Sequence, residues 1–157
     1  MISKTDMELA TLLNLDRGTI TSWRINRRNP HFAEVLKYEE ILVLPFECFI
    51  TREPNLEEIL LHVEKITAHL KDDAKTSISN NDVAKTFEIS HNTVSRWKQG
   101  LRSPQFNFVM DFEQKLEIPF ELFMSSKPDI EAIESKLKGQ IKVLKKLIKQ
   151  KEQESLL

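Results

Sequence analysis

The sequence predicts an all-α protein that contains two copies of one helical unit and a long C-terminal helix. Composition is the first reason: 40% of the 157 residues are apolar, but only 3 are Gly and 1 is Cys. This is enough apolar material for a core, and too little Gly or Cys for many tight β-turns, a disulfide framework or a cysteine-rich zinc site. The second reason is an internal repeat, and the third is a helical spacing of apolar residues after each copy.

The repeat becomes visible when the chain is aligned with itself at an offset of 74 residues. Identical residues fill 14 of the 50 aligned pairs from Thr5/Ser79 to Pro54/Pro128. They include Ala10/Ala84, Trp23/Trp97, Pro30/Pro104, Phe32/Phe106, Glu39/Glu113 and Glu47/Glu121. Two copies with so long a period indicate tandem domains rather than a solenoid.

We therefore divide the chain into a first domain at 1–54, a second at 55–128 with its own first helix at 55–71, and a C-terminal amphipathic helix at 129–157. A polar segment at 72–77 precedes the second unit. The helices after the two units share their apolar positions: Leu56, Ile59, Val63 and Leu70 correspond to Ile130, Ile133, Leu137 and Leu144. Because the first unit lacks a preceding helix, we expect either 56–71 or the final helix, from this chain or a second one, to cover its apolar surface.

Each unit is predicted to begin with a short capped helix. Thr5 followed by Glu8, and Ser79 followed by Asp82, fit the capping box, in which the hydroxyl and the carboxylate each accept a backbone N–H. The inward faces are Leu9, Ala10 and Leu13 in the first copy and Val83, Ala84 and Phe87 in the second. The small alanine allows another helix to approach closely.

A second short helix follows in each unit, with Asp16 or Ser90 as its expected cap. Its apolar face is Ile20 and Trp23 in the first copy, and Val94 and Trp97 in the second. It should end near Asn26 or Gly100, since both residue types tolerate the left-handed conformation of a helix terminus. Two short helices joined by about three residues form the helix-turn-helix pattern.

The strings LATLLNLDRGTITSWRINRRNP and VAKTFEISHNTVSRWKQGLRSP resemble the helix-turn-helix of Cro/CI (xenobiotic-response-element type) phage repressors. The tails LPFECF and IPFELF resemble the ends of such domains. The resemblance implies two tandem lambda-repressor-like domains and a DNA-binding repressor. The chain departs from the family where Asp6 and Asn80 replace Gln, and where Asn14 and Glu88 replace the turn Gly. We expect Asp6 to repel phosphate, and Glu88 to adopt positive φ less readily than Asn14.

The outward positions of the second helices are the predicted DNA contacts. In the second copy they are Ser90, His91, Asn92, Ser95, Arg96 and Gln99, with Arg102 as a phosphate contact after them. Asn and Gln can form two hydrogen bonds to adenine, and Arg two to guanine. The first copy offers Asp16, Arg17, Gly18, Thr21, Ser22 and Ile25, with Arg27 and Arg28 as phosphate contacts. We expect the second copy to be the better reader of sequence.

The formal net charge of −1 does not argue against DNA, because the basic residues are clustered. Arg17, Arg24, Arg27 and Arg28 lie close together, and so do Arg96, Lys98 and Arg102. The balancing acids, among them Glu113, Glu117 and Glu121, lie elsewhere. We expect binding to be steeply salt dependent.

The final helix is predicted from Asp129 to about Gln153. Its apolar stripe suits packing on a domain or a two-stranded seam, so a homodimer through this helix is one expectation. Seven lysines and no acid lie from Lys136 to Lys151, which is typical of a solvated face and leaves DNA backbone or an acidic partner as alternatives.

Other function classes lack their motifs. The sequence has no Gly-rich phosphate loop, paired-cysteine metal site or nucleophile elbow, so we expect neither an enzyme nor a cofactor. His62 and His69 share a helix face without a carboxylate or Cys beside them, so we expect no metal site. Cys48 should be a buried small hydrophobe.

We expect a cytoplasmic regulator that binds double-stranded DNA and no membrane. The alternative is a protein-interaction module, such as an antirepressor or antitoxin-like partner, which the acidic Asp6 and the near-neutral total favour.

Overall fold

The computed structural model describes residues 4–156, and the fold is all-α, as predicted. The described residues form eleven helices and no β-strand. If the helix that follows each repeated unit is counted with that unit, the helices of the first copy are α1 (Asp6–Leu13), α2 (Arg17–Arg24), α3 (Phe32–Leu42), α4 (Glu47–Ile50) and α5 (Leu56–Ala68). After one turn, α6 (Asp73–Thr76), the second copy has α7 (Asn80–Thr86), α8 (His91–Lys98), α9 (Phe106–Leu116), α10 (Phe120–Met124) and α11 (Ile130–Ser155). Residues 1–3 and 157, which the predicted first and last segments include, lie outside this description.

Both predicted capping boxes are present. The Thr5 hydroxyl accepts the Glu8 N–H at 3.1 Å, and the Glu8 carboxylate accepts the Thr5 N–H at 3.5 Å. Ser79 and Asp82 form the same pair of bonds, both at 3.1 Å. Two backbone donors at each helix start are thereby satisfied, so α1 and α7 begin where the sequence predicted.

The left-handed backbone positions repeat between the copies at the offset of 74 residues. They are Asn14 and Glu88, Asn26 and Gly100, and Val43 and Glu117, with φ between 55° and 76°. The turn residues Asn14 and Glu88 both adopt positive φ, and the helix termini at Asn26 and Gly100 are confirmed as left-handed. The pair that was not predicted is Val43 and Glu117, which lie at the C-terminal ends of α3 and α9. Val43 is β-branched and has φ 57°.

We predict that Val43→Gly raises the free energy of unfolding by about 0.5–1 kcal/mol. A β-branched side chain in the left-handed region is strained, and the strain relieved exceeds the added flexibility of the unfolded chain. Val43 is 56% exposed, so little packing is lost. Urea denaturation measures the change. Val43→Ala is the control, because it keeps the Cβ and should gain less; an equal gain in both variants would contradict the backbone explanation.

The two copies meet through reciprocal contacts at the loops before α3 and α9. The Phe32 N–H donates to the Pro104 carbonyl at 2.9 Å, and the Phe106 N–H donates to the Pro30 carbonyl at 3.0 Å. An isolated antiparallel bridge joins His31 to Gln105 between them. Each contact has its counterpart at the 74-residue offset, as in the self-complementary interface of a twofold dimer. The contacts between the two copies are therefore reciprocal.

The apolar core forms two clusters, and one aromatic ring from each copy enters the cluster of the other. Phe106 belongs to the first cluster, where its ring centroid lies 5.4 Å from that of Phe46. Phe32 belongs to the second, 5.0 Å from Phe120. Four other predicted core residues are confirmed as buried: Ala10, Trp23, Ala84 and Trp97. Cys48 is also fully buried, as predicted.

The final helix folds back within the same chain. Buried Ile133, Leu137 and Leu144 of α11 join the first cluster, together with the buried residues of α5. Both helices that were considered as covers for the first unit therefore contribute to its core. Two predicted bounds change: α5 ends at Ala68 rather than at residue 71, although Leu70 is still buried, and the polar segment at 72–77 contains the turn α6, which the Asp72 side chain caps.

A cluster of charged side chains lies at the junction of the copies, around a small cavity. Its members are Glu39, Glu47, His62, Glu113, Glu121 and Lys136. The His62 Nε2 atom lies 3.1 Å from the Glu113 Oε1 atom, and the Lys136 Nζ atom lies 3.7 Å from the Glu39 Oε1 atom. The expectation that His62 has no carboxylate beside it is therefore wrong: folding supplies one from the other copy. We call these six residues the junction charge cluster.

Burial changes the proton affinities of this cluster. It raises the pKa of Glu39 and that of Glu47 to about 7, although Lys136 and His62 respectively act against the rise. Burial opposes the charged form of His62, but the hydrogen bond and charge of Glu113 raise its pKa overall. Burial likewise opposes the charged form of Lys136, yet Glu121 and Glu39 raise its pKa. Within the cluster, the carboxyl groups of Glu39 and Glu47 thus have pKa values near neutral pH, and each depends on the charge of its neighbours.

Candidate nucleic-acid interface

Helix α8 separates its residues into a buried face and an outward face. Val94 is fully buried and Trp97 is 8% exposed, so these two fix the helix against the second core cluster. The predicted contacts Ser90, His91, Asn92, Arg96 and Gln99 are exposed, and Ser95 is half-buried. None of the three side chains with the best base-reading chemistry, Asn92, Arg96 and Gln99, is enclosed by the molecule.

Two of the predicted contacts on α8 also have local roles. The Ser90 hydroxyl accepts the Thr93 N–H at 3.1 Å and therefore caps the helix. The Ser95 hydroxyl lies 3.5 Å from the His91 Nδ1 atom on the next turn. In α2 the cap differs, because Asp16 precedes the helix without a side-chain cap hydrogen bond. Ser90 is thus confirmed as a side-chain cap, and Asp16 is not.

Helix α2 presents a different surface. Arg17 and Gly18 are exposed, Thr21 and Ser22 are half-buried, and Ile25 is 54% exposed. The Thr21 hydroxyl is held by the Asp6 carboxylate at 2.6 Å. Because that hydroxyl has one proton, Thr21 cannot also donate to a base while this bond exists.

Asp6 belongs to an internal network and not to the outer surface. It is 9% exposed and accepts hydrogen bonds from Thr21, from Arg24 at 2.8 Å and from Arg52 at 3.0 Å. The Thr21 hydroxyl, then Arg24 and Arg52, lower the pKa of Asp6 to about 2 although burial acts against them. The expectation that Asp6 repels phosphate is therefore wrong, because two guanidinium groups compensate its charge. We call these four residues the Asp6 network.

The basic cluster of the first copy is smaller than predicted, because Arg24 is used in internal hydrogen bonds. The Arg24 side chain is only 3% exposed, and it also donates to the carbonyl oxygens of Lys4 and Phe49. Arg24 cannot then contact phosphate, contrary to its place in the predicted cluster. The exposed cations that remain are Arg17, Arg27 and Arg28.

The loops after α2 and α8 carry the predicted phosphate contacts. Arg27, Arg28 and Arg102 are all exposed. The backbone N–H groups of Arg27 and Arg28 both donate to the Ser22 carbonyl, at 2.9 and 3.2 Å, which fixes the loop relative to α2. An open groove beside the junction is lined by both arginines, by Asn26 and Asn29, and by His31.

The lysines of α11 divide into one structural residue and six exposed residues. Lys136 belongs to the junction charge cluster, so the expectation of a wholly solvated run is wrong at this position. The exposed residues are Lys138, Lys142, Lys145, Lys146, Lys149 and Lys151. Lys138 pairs with Glu134 one turn earlier on the helix, at 3.5 Å.

Within residues 4–156, no group of His, Cys, Asp or Glu side chains has the arrangement of a metal site. No helix in that range is long and apolar enough to span a membrane. Comparisons with protein families, curated proteins and solved structures found no match to this chain.

Proposed function

We propose that this protein is a sequence-specific DNA-binding transcriptional regulator that resembles phage CI-type repressors. In this proposal α1 with α2, and α7 with α8, are two tandem helix-turn-helix units of the lambda-repressor type. The observation that carries it is the outward face of α8, where Asn92, Arg96 and Gln99 are exposed beside a buried Val94–Trp97 face. Arg, Asn and Gln are the side chains that distinguish base edges in the major groove.

The distribution of charge supports the same function. Arg28 and Arg102 occupy equivalent positions in the loops after α2 and α8, and both are exposed. In a bound helix-turn-helix the second helix lies in the major groove, and flanking residues hold phosphates. If both units bind one face of the duplex, α2 and α8 should lie roughly 34 Å apart, which is one helical turn of DNA. The proposal includes a cytoplasmic location, no catalytic activity and no cofactor.

The alternative function is a protein-interaction module. Its argument from Asp6 no longer applies, because that carboxylate is paired internally. Two exposed apolar residues near the ends of the helix pairs still favour it: Ile25 is 54% and Leu101 is 70% exposed. Such residues could contact a protein partner or the methyl group of thymine.

The decisive experiment is selection of duplexes from a randomised pool, followed by fluorescence anisotropy with the selected duplex over a salt series. We expect enrichment of a defined sequence and a logarithm of affinity that falls linearly with the logarithm of salt concentration. If no sequence is enriched and no duplex binds at low salt, the proposed function is wrong.

Two substitutions separate base contacts from phosphate contacts. Arg96→Ala should weaken binding to the selected duplex by roughly 5–100-fold and relax preference at one base pair, since it removes a bidentate contact. Arg102→Ala should weaken binding to selected and random duplexes alike and make the salt slope shallower. Lys65→Ala on α5 is the control for charge, because this exposed lysine lies outside both helix pairs. Unchanged affinity of Arg96→Ala for the selected duplex would remove that residue from the base-reading set.

A further inference from the structure

The two second helices are equivalent in position but not in chemistry. At the 74-residue offset, Asn92, Arg96 and Gln99 of α8 correspond to Gly18, Ser22 and Ile25 of α2. Each residue of the first set can form two hydrogen bonds to one base, whereas glycine and isoleucine offer none and serine has a single hydroxyl. Helix α2 therefore lacks a bidentate side chain at all three positions.

The Asp6 network removes two further polar side chains from α2. Thr21 and Arg24 both donate to Asp6, and the Arg24 side chain, which is 3% exposed, also donates to two carbonyl oxygens. Their counterparts in the second copy are free of such a network among the described residues: no hydrogen bond joins Ser95 to Asn80, and Lys98 lies over the Phe123 ring. The network thus breaks the pseudo-twofold symmetry at the surface that would face DNA.

The first copy nevertheless keeps its capacity to hold phosphates. Arg27 and Arg28 are exposed, and the loop that carries them is fixed to the Ser22 carbonyl. These contacts add affinity without reading sequence. Because the His31–Gln105 bridge and its flanking hydrogen bonds join the copies, both helices would meet one duplex at a fixed separation.

We propose that the protein recognises an asymmetric DNA site, in which α8 reads the bases of one half and α2 anchors the backbone of the other half. The inference rests on the proposed function and specifies its ligand. A symmetric pseudo-dimer would instead select an inverted repeat.

The wild-type protein tests this by selection from a randomised duplex pool that spans two helical turns. We expect sequence information in one half of the site and little in the other. Two halves of equal information, arranged as an inverted repeat, would overturn the asymmetric inference and leave the proposed function intact. Failure to enrich any duplex would overturn both.

A graft provides the second measurement. The variant Gly18→Asn/Ser22→Arg/Ile25→Gln gives α2 the three side chains of α8, and a Cβ at Gly18 would meet no atom within 4 Å. We expect this variant to prefer an inverted repeat of the wild-type half-site over the wild-type site by about tenfold or more. Wild-type protein should show no such preference. An unchanged preference in a variant with an unchanged melting temperature would contradict the assignment of these positions.

Arg28→Ala completes the test, because it removes a cation from the anchoring half. We expect weaker binding and a shallower salt slope, with the selected sequence unchanged. Loss of sequence information anywhere in the site would contradict a purely anchoring role for the first copy.

Discussion

Lys136→Met should lower the free energy of unfolding by about 3 kcal/mol at pH 8 and by much less at pH 5. At pH 8 the variant leaves Glu39 and Glu121 without the ammonium that lies 3.7 and 2.5 Å from their carboxylates. Breaking a buried ion pair on one side costs about 3–5 kcal/mol, and the 30% exposure of the Lys136 side chain places the expected loss near the lower limit.

The pH dependence follows from the direction of the pKa shifts. Glu39 and Glu47 have a folded-state pKa of about 7, above the ordinary value of 4.5. A raised carboxyl pKa stabilises the fold fully below the unfolded pKa, and this contribution is lost as the pH rises through the folded pKa. The wild-type free energy of unfolding should therefore fall between pH 4.5 and about 7.5. His62, whose pKa is also raised, adds to the loss above pH 6.5.

Chemical denaturation at several pH values checks both expectations. Lys138→Met is the matched control, since this lysine lies on the same helix with its side chain 66% exposed and pairs only with Glu134 in the described contacts. It should change the free energy of unfolding by less than about 0.5 kcal/mol at any pH. The double variant Lys136→Met/Glu39→Gln should recover part of the loss, because it removes a carboxylate together with its partner. Equal losses for Lys136→Met at pH 5 and pH 8 would contradict this electrostatic explanation.

Local features of the fold could be predicted from the sequence because their causes lie within a few residues. The capping boxes at Thr5 and Ser79 depend on residues three apart, and the left-handed helix ends at Asn26 and Gly100 follow from residue types that tolerate that conformation. The 74-residue offset then transfers each assignment from one copy to the other. For the same reason the outward face of α8 was predicted from the burial of its opposite face.

The remaining features depend on contacts between distant parts of the chain. Asp6 is joined to Arg24 and Arg52 across 18 and 46 residues, so its sequence neighbours suggest an exposed acid. His62 acquires the Glu113 carboxylate only when the copies meet. The repeat contained one usable signal, since the acids Glu39 and Glu113 are identical at the 74-residue offset. In the structure each of these carboxylates accepts a backbone N–H, Glu39 that of Phe46 and Glu113 that of Phe120.

Phe106→Ala should lower the free energy of unfolding by about 3–4 kcal/mol, and the loss should reach both copies. This ring is 6% exposed and packs edge-on against Phe46 in the core of the other copy. Truncating a buried phenylalanine costs about 3–5 kcal/mol, since apolar contact is lost and a cavity remains. Phe32→Ala should cost a similar amount through its contact with Phe120. The exchange of rings thus couples the two clusters into one cooperative unit.

The two tryptophans allow each copy to be followed separately. Trp23 lies in the first cluster and Trp97 in the second, so Trp97→Phe and Trp23→Phe variants report one copy each by fluorescence. Each single-tryptophan variant should show one urea transition, and adding Phe106→Ala should shift the midpoints downward in both variants by similar amounts. Leu12→Ala, at a residue that is 47% exposed, should shift them little. If Phe106→Ala moved the midpoint of one probe and left the other in place, the copies would be independent domains. The fixed placement of α2 relative to α8 on DNA would then lose its structural basis.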